Sequence, residues 1–219
     1  MQSHQLSDIT DHMSSRPPSA SPEDTRNALL DTAERLFRQV GYGKTTVADI
    51  AEALGMSSAN VYRFFPSKGA INNAICDRWL NEIDATMRAA ALGPGSASAR
   101  LEAAIFACHG GKHTMLTDEK RVFDMVDAAM AEHWDAIEAH IAATDAILAG
   151  IIRDGIAAGE FAPGDPDALA RTVMSACCSL FHPTLVAQCA HDPEQPVMAR
   201  RLVWLAIAAL TNPSRSPMP

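Results

Sequence analysis

Between Ser57 and Arg63 the chain gathers Ser57, Ser58, Ala59, Asn60, Tyr62 and Arg63 in one short segment bounded by Gly55 and Pro66. These residue types suit contact with a nucleic acid. Ser and Asn hydrogen-bond base edges, small side chains let a backbone approach, and Tyr62 and Arg63 have the reach for phosphates. Two other groups could carry chemistry. His109 and His113 stand four residues apart, hence on one helical face, with Cys108 at its edge, while Cys177, Cys178 and His182 form a second cluster. Either would suit a sensor of metal or redox state, although neighbouring cysteines on a helix point apart and rarely bridge. The five cysteines include no Cys-x-x-Cys pair, so neither a zinc ribbon nor a thioredoxin-type site is indicated. Their simpler reading is as small buried hydrophobes.

Catalysis finds no such grouping. Gly110-Gly111-Lys112-His113 lacks the earlier glycine of a phosphate loop and has His where Ser or Thr would hold magnesium. Gly41-Tyr42-Gly43 follows no strand and is no dinucleotide fingerprint. No enzyme and no cofactor is expected.

A segment that reads bases must be held out rigidly by other elements. Leu29, Ala33, Leu36, Phe37 and Val40 recur at helical spacing from Asp24 onward, and Gly41 supplies a stop. Thr46 opens a second helix with Asp49 three residues on, an approximate capping box, and Val47, Ile50, Ala51 and Leu54 form its inner face. Gly55-Met56-Ser57 makes a tight link to a third helix, capped by Ser57, whose Val61 and Phe64 would lock against Ile50, Ala51 and Leu54. Two short helices joined this way are what a helix-turn-helix requires. Ser67 caps a longer fourth helix carrying Ile71, Ile75, Trp79 and Ile83. Beyond Gly93-Pro94-Gly95 the pattern predicts helices at 98–116, 118–131, 134–158, 166–190 and 194–210, with Pro183 kinking or interrupting the block that holds it. No strand alternation or internal repeat stands out.

The segment from Gly41 through Thr46-Val47-Ala48-Asp49-Ile50-Ala51, then Gly55-Met56-Ser57, then Val61-Tyr62-Arg63-Phe64-Phe65-Pro66-Ser67-Lys68, resembles the N-terminal signature of the TetR (tetracycline-repressor-like) family of transcriptional regulators. The resemblance spans 24–70. One departure is Gly69-Ala70-Ile71, where an acidic residue and a Leu are more frequent, and it bears on local helix geometry. The resemblance implies an all-α fold: a three-helix DNA-binding head followed by a helical body that dimerises and holds an effector pocket. It implies that Thr45 and Thr46 meet phosphate at the start of the second helix. Ser57, Ser58, Ala59 and Asn60 would read bases, and Tyr62, Arg63 and Lys68 would grip the backbone. Ligand binding would then release the protein, by default a repressor, from a palindromic operator.

On this reading 1–23 is a disordered leader, rich in Ser and Pro, 24–70 the head, 71–212 the body and 213–219 a tail. Trp79, Phe106, Met115, Phe123, Met125, Met130 and Trp134 are expected around the pocket, favouring an apolar or aromatic effector. The last two long helices are expected to form the homodimer interface through Leu169, Val173, Leu180 and Phe181 on one, and Val203, Leu205, Ile207 and Leu210 on the other.

The net charge of −8 at first opposes DNA binding, yet its distribution is uneven. Residues 24–80 balance at +1, residues 1–23 at −2, and 81–219 at −7, so the acidity lies outside the proposed head. Without a long apolar run or a signal-like N-terminus, a cytoplasmic protein with no membrane partner is expected. Two other readings stay open: a regulator sensing metal or thiol redox state through the Cys and His groups of the body, and a dimeric helical interaction module that ignores DNA.

Overall fold

The fold comes from a computed structural model that describes residues 21–117, 120–131 and 135–212. The expected tail, most of the expected leader, and Trp134 lie outside the described residues. Among those described there are eleven helices and no strand: α1 (Pro22–Val40), α2 (Val47–Ala53), α3 (Ser58–Tyr62), α4 (Lys68–Ala91), α5 (Ala97–Thr117), α6 (Lys120–Ala131), α7 (Asp135–Ala157), α8 (Pro166–Ala176), α9 (Cys178–Phe181), α10 (Pro183–Cys189) and α11 (Gln195–Thr211). None is long and apolar enough to cross a membrane.

Helix α1 starts at a complete capping box, two residues before the expected Asp24. Ser21 Oγ accepts from the Asp24 N–H at 3.0 Å and Asp24 Oδ2 accepts from the Ser21 N–H at 3.1 Å. Its inner face, Leu29, Leu30, Ala33 and Phe37, buries against Ile50 and Ala51 of α2, Val61 of α3, and Ile71 and Ile75 of α4. Each large side chain buried here contributes roughly 1.5–3 kcal/mol against the entropy of ordering. Val40, expected in that stripe, is 45% exposed at the C-terminal end of the helix.

Helix α4 belongs to two cores. Ile71 and Ile75 lie in the first, while Leu80, Ile83 and Met87 lie in a second with Leu101 and Ile105 of α5 and Leu148 and Ile152 of α7. It therefore runs unbroken through the boundary expected at residue 70. Methionine 125 on α6 also enters the first core, and Asn72 Nδ2 donates to its carbonyl at 3.0 Å.

Two long-range contacts shape the far end. Glu160 caps α5 from more than sixty residues away, its carboxylate accepting from the Ala97 and Ser98 N–H groups at 2.7 and 2.8 Å. Gly155 lets α7 approach the Phe161 ring: a Cβ there would sit 2.3 Å from a ring carbon. The block expected at 166–190 is three helices. Cys177 separates α8 from α9, and His182 is extended (φ −76°, ψ 123°) before Pro183. Proline disfavours helical geometry in the residue before it and lacks an N–H, so the chain must break there.

Candidate DNA interface and effector cavity

Helices α2 and α3 meet around Gly55, whose φ of +64° is a conformation that a side chain resists. The α2 cap is the full reciprocal box: Thr46 Oγ1 accepts from the Asp49 N–H at 3.2 Å, and Asp49 Oδ2 accepts from the Thr46 N–H at 2.7 Å and its hydroxyl at 2.8 Å. These bonds, the backbone one first, hold the exposed Asp49 carboxyl below the ordinary aspartate range. Ser57 caps α3 by accepting from the Asn60 N–H at 3.3 Å. With Val61 buried beneath, Ser57, Ala59, Tyr62 and Arg63 are exposed and Ser58 and Asn60 half-buried. The small start of α3 and its basic end therefore share one accessible surface.

Two expected contacts lie differently. Thr45 is 1% exposed, its hydroxyl donating to the Gly41 carbonyl at 2.9 Å. Lys68 reaches back to donate to the Tyr42 and Thr45 carbonyls at 2.7 and 3.0 Å, with its ammonium 4.4 Å from the Tyr42 ring centroid. Both hold the α1–α2 loop in shape, and for Lys68 spacing alone does not reveal it because its partners lie 23 and 26 residues back. Lys44 on the same loop is exposed, and sequence reasoning did not single it out. Its position before the α2 N-terminus was the available signal.

The body holds a partly open cavity of about 250 Å³. Of the seven residues expected around a pocket, Trp79, Met115 and Met130 line it. Phe106 instead borders a separate cleft beside His109 and His113, Phe123 packs in the cluster around Cys76 and Val126, and Met125 fills the head core. Trp79 also touches the head, donating from Nε1 to Glu34 Oε1 at 3.2 Å, and Arg78 ion-pairs with Asp31 and Glu34 at 2.6 Å each.

Sequence reasoning missed Lys112, His140, Thr144 and Ser175 in the polar lining of the cavity, whereas Cys178 and His182, grouped from the sequence as a candidate sensing cluster, line it too. Lys112 is buried and donates to the Phe181 carbonyl at 2.8 Å, burial pushing its pKa down. His140 Nδ1 donates to Asp84 Oδ1 at 2.7 Å. Burial, then the Lys112 charge, depress the imidazole to about 3, so it is neutral, while burial raises Asp84.

The apolar residues expected at the dimer interface mostly face inward. Val173, Leu180, Phe181, Val203 and Leu210 are buried in the protomer's own core, and Leu169 and Ile207 pack at its edge. Phe181 even lines the cavity. Helical period identifies an apolar face but not what covers it, and α11 has two such faces. Its outer one exposes Val197, Met198, Trp204 and Leu205.

His109 and His113 meet with ring centroids 6.0 Å apart beside one cleft, and Cys178 and His182 both line the cavity. Among the described residues no three His, Cys, Asp or Glu side chains are placed to hold a metal. His109 Nδ1 donates to the Leu180 carbonyl at 3.2 Å, and Cys177 is buried while Cys178 is exposed.

Residues 29–75 match the description "Bacterial regulatory proteins, tetR family", and residues 97–204 match "Tetracyclin repressor-like, C-terminal domain". The transcriptional regulator EthR of Mycobacterium tuberculosis is 28% identical over 133 residues, 58% of this chain and 62% of that protein. The transcriptional repressor ComR of Escherichia coli is 38% identical over 60 residues, 27% of this chain and 29% of its own. The chain thus spans less than two thirds of either relative. A TetR/AcrR-family regulator from Thermobifida fusca superposes with a TM-score of 0.58 at 25% identity, over 88% of this chain and all of that one. A helix-turn-helix built on local caps, joined by one shared helix to a helical body with a cavity, is thus matched in both halves, and the chain belongs to the TetR family of bacterial regulatory proteins.

Proposed function

We propose that this protein is a homodimeric transcriptional repressor, not an enzyme, that leaves a palindromic operator when a small effector fills the body cavity. The observation that carries the reading is the exposed α3 surface, held from beneath by Val61 against Ile50 and Ala51. Ser57, Ser58, Ala59 and Asn60 read bases in the major groove, and Tyr62, Arg63 and Lys44 contact phosphate. The α2 N-terminus and the Thr46 side chain add a further phosphate contact. Thr45 and Lys68 act indirectly by fixing the loop. Such a regulator works in the cytoplasm with its DNA.

Release uses α4. A ligand against Trp79 shifts the side chain whose indole holds Glu34 of α1, while Arg78, one residue earlier, ties the same helix. The body's acid balance then matters little, because only the head meets DNA. Residues 24–70 form that head and 71–212 the body. We assign the dimer face to the outer stripe of α11, where Met198, Trp204 and Leu205 are each more than half exposed.

The test is binding to the protein's own promoter DNA against random DNA, over a salt series. The expected result is specific binding whose affinity falls steeply with salt. The Lys44→Ala/Arg63→Ala variant should weaken it roughly ten- to hundredfold and flatten the salt slope by about one unit per lost phosphate contact. If neither this DNA nor any sequence recovered from a random pool is preferred, the helical interaction module becomes the better reading.

A further inference from the structure

The cavity's walls are mostly apolar, with Trp79, Met115, Met130 and Ile137 among them, yet they enclose a lysine. Lys112 is 6% exposed. Its ammonium has three N–H donors. The Phe181 carbonyl accepts one at 2.8 Å. Among the described residues no carboxylate comes within ion-pair distance of it; Asp84 acts on it only through space. Asp84 does not line the cavity, and His140, hydrogen-bonded to it, does. A second polar atom waits nearby: His182 Nδ1 is buried without a partner, on another residue of the same lining. Buried polar groups are ordinarily paired, and a buried cation ordinarily has an anion.

We propose that the effector is a small monocarboxylic acid, its carboxylate on Lys112 and His182 and its apolar body among Trp79, Met115, Met130 and Ile137. This deepens the regulator reading and rests on it for the word effector, but the binding chemistry stands by itself. A carboxylate offers lone pairs to both nitrogens and supplies the missing negative charge. An alcohol supplies no charge, and an amine adds a second positive one. Size narrows the class. At about 250 Å³ the space lies at the small end of ligand cavities, which suits a small acid rather than a drug-sized one.

The experiment is calorimetric titration of the full-length protein with octanoate and 4-phenylbutyrate, beside 1-octanol, 4-phenyl-1-butanol and octylamine. Both acids should bind at least about tenfold tighter than their alcohols, the margin of one charge-assisted hydrogen bond, and the amine weakest. Lys112→Met, close in volume, should abolish the preference for acids while retaining the alcohols. His182→Leu, at an element break and less disruptive, should reduce it in part, and serves if Lys112→Met fails to fold. Equal affinity for acids and alcohols, preference for the amine, or no acid binding at millimolar concentration would each overturn the proposal. DNA binding without ligand is measured separately. Specific DNA binding with no acid binding sinks the ligand class alone, whereas acid binding without any operator sinks the regulator reading alone.

Discussion

Lys68 shows how the type of a residue and its role separate. A lysine just past a recognition helix has the charge and length to meet phosphate, but here its ammonium closes on two carbonyls and the Tyr42 ring of the α1–α2 loop. Lys68→Met should destabilise the protein by about 1–3 kcal/mol, from lost charge-assisted hydrogen bonds and a cation–π contact. A urea melt measures this. DNA affinity should fall with it, because the loop leads into α2. An unchanged urea midpoint with DNA binding lost would instead make Lys68 a direct phosphate contact. Among the described residues the Arg63 and Lys44 side chains show no such bonds to the loop, and so they are the better probes of phosphate contact.

Among the elements, α5 depends most on a distant partner. Its first N–H groups meet Glu160 rather than a local side chain, apart from Ser96, whose Oγ accepts from the Ala99 N–H at 3.2 Å. Partial burial works against the Glu160 charge, but hydrogen bonds from Ser98, Ala97 and Ser96 outweigh it and hold the carboxyl below the ordinary glutamate range. The sign follows: the folded state binds the proton less readily than the unfolded chain. The stabilisation is therefore complete above the unfolded glutamate pKa and disappears as pH falls through the folded value. Glu160→Ala should cost about 1 kcal/mol at pH 7, as for lost helix caps, and the gap from wild type should close in acid once the pH is below the folded value. Urea melts at neutral and acid pH check it. A gap that persisted in acid would point to packing rather than the charge.

For the whole molecule, the two cores share α4, with α6 inserting Met125 into the head. A change in the body can therefore reach α1 through Trp79 and Arg78 without a flexible joint. Doubling the molecule calls for a surface, and the exposed stripe of α11 supplies one with two arginines, Arg200 and Arg201, and no acid between 197 and 208. Trp204→Glu should place two like charges at the symmetric contact and shift the protein toward monomer in sedimentation velocity runs. Affinity for a palindromic site should then fall toward that of a half-site. A dimer that persists unchanged would move the interface off α11.

The sequence by itself determined the head. Its signals are local: a box between Thr46 and Asp49, a glycine turn, a Ser57 cap and an apolar stripe on each helix, all closed within a few residues. The same short range made the helix order of the body legible, including the break at Pro183. Tertiary structure alone decided where faces went. Helical period marks Val203 and Leu205 alike as apolar, but the first is buried and the second 57% exposed, because only contact with α5 and α8 distinguishes the two sides of α11. Met125 entered the head, and Phe106 a separate cleft, for the same reason. Lys112, in sequence a failed phosphate loop, became the buried cation of a cavity because its partner Phe181 lies 69 residues away. No local pattern encodes a distance like that; packing does.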